Sequence, residues 1–241
     1  MEIINLGNLV VNTYLVKIED KLVLVDTGYP GGHVRFLEKL SENNIDPENI
    51  DFLILTHAHD DHAGFLKEAL AVTRARLVVH EKSAARLLLG HNEWIGGCSG
   101  TLAFVFVKAM GLFGKGKHEY PKLEIPRNAI VCNGEKQFFE ENGMPIRIIS
   151  LPGHTEDHMG VLVDRRVLFC GDAAMNGFPS IKRNIIWIEN LEEYKASWDK
   201  MIAMDFDFVY PAHGKPFRKD DLRKFRNHLN KLEIRKIRAK T

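Results

Sequence analysis

The chain has 241 residues, 45% of them apolar and 27% charged, and its 33 Lys and Arg against 32 Asp and Glu give a formal net charge of +1. This length can bury a sizeable core without a disulfide scaffold. The composition excludes a collagen-like fibre, a disordered tail and a strongly basic nucleic-acid coat, and the near-zero charge supplies no global field toward nucleic acid or a membrane surface.

Residues 10–18 and 22–26 read as the strands of a β-hairpin joined by Glu19-Asp20-Lys21. Asp26-Thr27-Gly28 ends the second strand in a turn. Val34, Leu37 and Leu40 then recur at helical spacing until Asn43-Asn44 stops them. The apolar run 51–55 predicts a short buried strand, and a helix is expected to start near Asp61. Residues 76–79 predict a strand, 82–89 a helix, and 145–151, 159–163 and 167–170 three strands, the last two joined at Arg165-Arg166. A helix over 191–204, a strand over 206–210 and a basic helix over 220–239 complete the pattern. In that last helix Leu222, Phe225, Leu229 and Leu232 make an apolar stripe. Its basic face is read as solvated, with RNA or membrane contact as the other reading. No repeat or linker interrupts the chain, so residues 1–241 are expected to form a single domain of the α/β class. Two β-sheets packed together with helices outside satisfy the alternation of β-rich and α-rich stretches.

Cys98, Cys132 and Cys170 fit neither a disulfide framework nor a metal-binding pair, so reduced thiols in a cytoplasmic protein are expected. The N-terminus has no signal-peptide pattern. The most apolar stretch, 101–114, contains Lys108 and is too short for a bilayer span of about 20 residues.

Chemistry concentrates at four strand ends. The first is Thr56-His57-Ala58-His59-Asp60-Asp61-His62, directly after the run 51–55. In extended backbone His57 and His59 point the same way, while Asp61 and His62 follow where the chain turns and address a second point nearby. The others are Gly153-His154 with His158 beyond it, Cys170-Gly171-Asp172, and Ala212-His213-Gly214. Imidazole and carboxylate at all four ends point to a shared metal site, and such a nitrogen–oxygen set suits Zn²⁺, Fe²⁺ or Mn²⁺ better than Ca²⁺ or Mg²⁺.

The His57-x-His59-x-Asp61-His62 pattern, with His154, Asp172 and His213 in order behind it, resembles the metallo-β-lactamase superfamily of metallohydrolases. The resemblance runs from the Asp26-Thr27-Gly28 turn to His213-Gly214. It implies a four-layer αβ/βα sandwich of two mixed β-sheets flanked by helices. It also implies two divalent metal ions, Zn²⁺ foremost with Fe or Mn as alternatives. His57, His59 and His154 would hold the first ion, Asp61, His62 and His213 the second, and Asp172 would bridge them. Asp26 and His158 would orient ligands. Two ions about 3.5–4 Å apart generate a bridging hydroxide near neutral pH, and Asp61 is the expected proton acceptor during its attack.

Departures from the superfamily's branches narrow the substrate. Asp172 stands where zinc β-lactamases carry Cys, which disfavours antibiotic hydrolysis. His59 replaces the Glu of flavodiiron oxidoreductases, and the stretch after His213 is short for the helical part of glyoxalase II. Met175 replaces the tyrosine of quorum-quenching lactonases. The expected activity is hydrolysis of a small ester, lactone or thioester, with a phosphodiesterase or nuclease as the alternative. The expected partner is a small-molecule substrate. Nucleic acid is disfavoured, no membrane span is expected, and a homodimer is allowed.

One segment breaks the regularity. Residues 91–129 are Gly-rich and aromatic, and are read as an insert that is either a lid or a packing element. Trp94, Phe104 and Phe113 from it, with Phe178 and Lys182 beyond Asp172, are the expected substrate pocket. Lys182-Arg183 offers charge for a carboxylate or phosphate. His33, His80, His91, His118 and His228 have no motif around them.

Overall fold

The computed structural model describes residues 1–112, 118–135 and 138–237. Its first elements are β1 (Glu2–Asn5), β2 (Tyr14–Ile18), β3 (Lys21–Val25), α1 (His33–Glu42), β4 (Phe52–Ile54), α2 (Leu66–Val72), β5 (Arg76–His80) and α3 (Ser83–Leu89). Next come β6 (Gly97–Cys98), α4 (Thr101–Leu112), β7 (Ile130–Cys132), α5 (Phe138–Glu141), β8 (Ile146–Ser150), β9 (Met159–Val163) and β10 (Val167–Gly171). The last are β11 (Trp187–Ile188), α6 (Leu191–Ala203), β12 (Phe208–Pro211), β13 (Phe217–Arg218) and α7 (Asp220–Phe225).

The chain divides into two compact units, Met1–Asn92 with His118–Gly134, and Glu93–Lys117 with Glu135–Thr241. The first holds a six-stranded mixed sheet in the order β1-β2-β3-β4-β5-β7. Its strands β3, β4, β5 and β7 run parallel, while β1, β2 and β3 form an antiparallel edge. Leu15, Leu24, Leu53 and Leu77 from this sheet meet Phe36 and Leu40 of α1 and Leu66 and Ala69 of α2 in one core. The apolar alternation on the strands and the helical spacing on α1 and α2 aim at the same volume, which is why the sheet and helices form together.

The second unit holds a five-stranded mixed sheet, β13-β12-β10-β9-β8, and the two-stranded β11-β6. Here β10 and β12 are parallel and the other neighbours antiparallel. Its core gathers Leu151, Leu162, Leu168 and Val209 against Tyr194, Trp198 and Met201 of α6. Asn190 caps α6, its side chain accepting from the amides of Glu192 and Glu193. Two mixed sheets with helices match the fold class expected from the sequence. No helix among the described residues is long and apolar enough to cross a membrane.

Three expectations need correction. The hairpin strand begins at Tyr14 rather than residue 10, because Asn8 Oδ1 accepts from the amides of Val10 and Val11 and folds that stretch into a turn. Strand β1 has no counterpart in the sequence reading. The helix expected near Asp61 starts only at Leu66. The His62 carbonyl, which a helix would offer to the Leu66 amide, is taken by the amide and hydroxyl of Thr27. The basic helix over 220–239 ends at Phe225 and tightens into a 3₁₀ turn over Arg226–Lys231. Beyond it the backbone is extended, and Arg235 exchanges two 2.9 Å hydrogen bonds with Cys98 at the end of β6. An edge strand's unsatisfied amide and carbonyl outcompete further helix. Leu222 and Leu229 of the apolar stripe are nevertheless fully buried. Residues 238–239 of that expectation lie outside the described residues.

Within the stretch 91–129, Thr101–Leu112 form the helix α4.

Candidate metal centre

The first unit supplies a histidine-rich loop at the carboxyl end of β4. Strands β3 and β4 are parallel, so Asp26 and Thr56-His57 leave the sheet at the same edge. This is where open α/β sheets place functional groups. Asp26 is buried and accepts from the Thr56 amide at 2.7 Å, the Thr56 hydroxyl at 2.8 Å and His62 Nδ1 at 2.8 Å. Because His62 gives its Nδ1 proton to Asp26, its Nε2 carries the lone pair, which is the tautomer a metal ligand needs. That Nε2 lies 3.7 Å from Asp61 Oδ1. His57 Nε2 and His59 Nδ1 sit 3.2 Å apart. Two imidazole nitrogens that close suit convergence on one cation.

The loop between these residues is clamped from outside. Asp60 takes a 2.6 Å hydrogen bond from the Asn92 side chain, returns one from its own amide to Asn92 Oδ1, and faces His118 Nδ1 at 3.2 Å. The hydrogen bond to Asp60 holds the His118 pKa above the usual histidine value. A pKa raised on folding stabilises the native state below the unfolded value near 6.5, and the gain is lost as pH rises through the native pKa. His118→Asn is therefore expected to lower the denaturation midpoint at pH 5.5 and to leave it nearly unchanged at pH 8.5. An NMR titration of His118 with an inflection at or below pH 6.5 would contradict the assignment.

The second unit holds His154, Asp172 and His213. His154 Nδ1 donates to the Trp187 carbonyl at 2.8 Å, which leaves Nε2 as the acceptor, 3.4 Å from Asp172 Oδ2. The other Asp172 oxygen, Oδ1, lies 3.5 Å from His213 Nε2. Parallel β10 and β12 end side by side and deliver Asp172 and His213 to one edge. His158 is fully buried and its Nε2 accepts from the Asp172 amide at 2.9 Å. It thus holds the backbone that carries the carboxylate.

Helix α6 backs both of these ligand loops. Gly153 has φ +126°, and a Cβ there would fall on the Tyr194 backbone nitrogen, so the residue before His154 must be glycine for the loop to lie this close to α6. One turn on, Ser197 Oγ donates to the Pro152 carbonyl at 2.6 Å, and Trp198 Nε1 donates to the Ala173 carbonyl, beside Asp172, at 2.7 Å.

The first unit offers His57, His59, Asp61 and His62 as metal-binding side chains, and the second offers His154, Asp172 and His213. A divalent ion fits these donors: the set mixes imidazole nitrogen with carboxylate oxygen, most of the residues are buried, and the tautomers of His62 and His154 are fixed by partners on Nδ1.

The expected pocket residues are more scattered. Trp94 packs edge-on against Trp187 at 5.4 Å, the residue whose carbonyl holds His154. Phe104 carries the Lys108 ammonium over its ring. Phe178 is 73% exposed and rests edge-on against Phe106. Lys182 Nζ lies 3.4 Å from His228 Nδ1. Arg183 is engaged by Asp221 and Asn176, so its charge is committed within the fold. Phe113 lies outside the described residues. Sequence reasoning missed Trp187 and the Asn92–Asp60–His118 clamp. Only Thr56, adjacent to His57 in the sequence, carried a signal for its role.

Comparison with known proteins agrees with this geometry. The profile of the metallo-beta-lactamase superfamily matches residues 6–213, and the chain belongs to that superfamily, whose members are generally metal-dependent hydrolases. It is 25% identical to a beta-lactamase-like protein 2 homolog of Drosophila melanogaster over 92% of its own length and 65% of the relative. It is 28% identical to the thioesterase pkgB of Emericella nidulans over 84% of its own length and 45% of the relative. The chain thus spans about half to two thirds of these curated relatives. A metallo-beta-lactamase variant from Cronobacter sakazakii shares the fold, with a TM-score of 0.67, 15% identity and coverage of 95% of this chain and 91% of that one.

Proposed function

We propose that residues 1–241 act as a single dinuclear metal-dependent hydrolase domain that cleaves a small ester, lactone or thioester. The observation that carries this reading is the single loop that holds His57, His59, Asp61 and His62, with His57 Nε2 and His59 Nδ1 3.2 Å apart and His62 Nε2 3.7 Å from Asp61 Oδ1. Two donor pairs on one loop suit two neighbouring ions rather than one closed structural site, which would take four ligands of its own. In this reading His57, His59 and His154 would hold one ion, Asp61, His62 and His213 the other, and Asp172 would serve both. When bound, the ions supply an activated water and the Lewis acidity that polarises the scissile bond. Zn²⁺ is the proposed metal, with Fe or Mn as alternatives.

The chain's own residues do the rest. Asp26 and the Trp187 carbonyl keep His62 and His154 in the tautomers whose Nε2 carries the lone pair. Asp61, with 14% of its side chain exposed, is the proposed proton acceptor. A carbonyl substrate is favoured by the thioesterase relative and by the absence of a basic excess in the net charge. Cys98, Cys132 and Cys170 are buried thiols, which supports a cytoplasmic location.

The test is hydrolysis of a lactone, an acyl thioester, an aryl ester and an aryl phosphodiester by the metal-loaded protein. Turnover of at least one carbonyl substrate well above the phosphodiester is expected. Turnover of the phosphodiester alone would replace this reading with a phosphodiesterase of the same fold.

A further inference from the structure

A second concave site in the second unit shares no residue with the candidate metal ligands. It is a cavity of about 310 Å³ between the start of α4, the loop 179–186 and the extended C-terminal stretch after the 3₁₀ turn. That volume is at the small end of ligand pockets. Lys182, His228, Lys231 and Arg235 line it, and Glu233 is the one carboxylate among the described residues of its wall. Three formal positive charges against one make the wall a net cation. Burial, then the charges of Lys182 and Lys231, push the His228 pKa below its usual value, as expected where positive charge is already crowded. The first residue of the twelve-residue α4, Thr101, also faces the cavity, so the positive end of that helix adds to the field.

The mouth of this basic cavity is unusually apolar. Leu102 and Ile181 line it and are 48% and 70% exposed. Phe178, which precedes the lining residue Pro179, rests edge-on against Phe106 of α4, and of the residues of α4 only Ala103 is buried. Large side chains left in water next to fixed positive charge mark a surface that an amphiphile covers. The cations meet an acidic headgroup while the apolar rim takes the chain attached to it. A cavity this small holds one headgroup and the first few carbons of one chain.

We propose that this pocket and its rim bind a soluble single-chain acidic amphiphile, its phosphate or carboxylate against Lys182, Lys231 and Arg235 and its hydrocarbon over Leu102, Phe178 and Ile181. The proposal stands apart from the reading of the metal centre.

Octyl phosphate, kept below its micelle concentration, is the probe, titrated calorimetrically into the metal-loaded 241-residue chain. Saturable one-to-one binding is expected, weakened roughly tenfold, about 1.4 kcal/mol, for inorganic phosphate and for octanol, because each lacks half of the recognition. Lys182→Gln with Lys231→Gln is expected to cost at least tenfold. Lys231→Glu, at an exposed position, checks the same charge without disturbing the fold. His154→Ala is expected to bind octyl phosphate as the unmodified chain does. Absent saturable binding, octanol binding as tightly, or capture by phosphatidylglycerol vesicles without binding of octyl phosphate would each overturn the proposal. Binding that survives both lysine variants and disappears in His154→Ala would place the anion at the metal centre. That outcome would overturn this proposal and leave the metal reading intact.

Discussion

His154→Ala is expected to leave a folded protein that has lost tight binding of one metal equivalent and nearly all hydrolysis. His154 is 3% exposed, its Nδ1 is spoken for by Trp187, and its Nε2 faces Asp172. Removing an outer partner of a metal ligand costs roughly 10–100-fold in metal affinity or activity, and removing the ligand itself is expected to cost more. The fold has other support, since the loop still hangs on α6 through Gly153 and the Ser197–Pro152 hydrogen bond. Trp187→Phe is a useful contrast, because it keeps the backbone carbonyl that orients His154. Circular dichroism and metal analysis separate the outcomes: a variant that unfolds would show His154 to be structural, and one that keeps full turnover would remove it from the site.

The second large effect is on stability. Trp198 is fully buried on α6 and packs beside Tyr194, with ring centres 6.2 Å apart. Trp198→Ala is expected to cost roughly 3–5 kcal/mol through lost burial and the cavity left behind. The Ala173 carbonyl also loses its 2.7 Å donor. Trp198→Phe refills most of the volume but leaves that carbonyl stranded, for about 1–3 kcal/mol. Denaturant midpoints measure both. Since Ala173 follows Asp172 directly, the alanine variant is also expected to weaken metal binding in the fraction that stays folded. A cost below about 1 kcal/mol would mean that α6 does not brace the ligand loops.

The candidate site was legible in the sequence to the degree that its chemistry is local. The run from His57 to His62 concentrates four donor side chains in one loop, and no ordinary strand–helix connection calls for that composition. Asp172 and His213 could be placed because each follows a short apolar run that ends in a turn, and parallel pairing of β10 and β12 then brings the ends together. The strands were legible for the same reason: continuous or alternating apolar runs have few other ways to bury themselves.

What escaped the sequence was decided by hydrogen bonds between distant residues. Thr27 captures the His62 carbonyl across 35 positions and delays α2. Cys98 captures Arg235 and ends the C-terminal helix early. Trp187 orients His154 through a main-chain oxygen, which no side-chain pattern encodes. The Asn92–Asp60–His118 clamp joins residues whose identities are common on any polar surface.

The most direct test of the account is metal content and activity measured on one preparation, before and after a chelator. Two divalent ions per chain are expected, with hydrolysis lost on their removal and restored by Zn²⁺. A folded protein that binds no divalent ion, or one that turns over substrate equally well without metal, would contradict it.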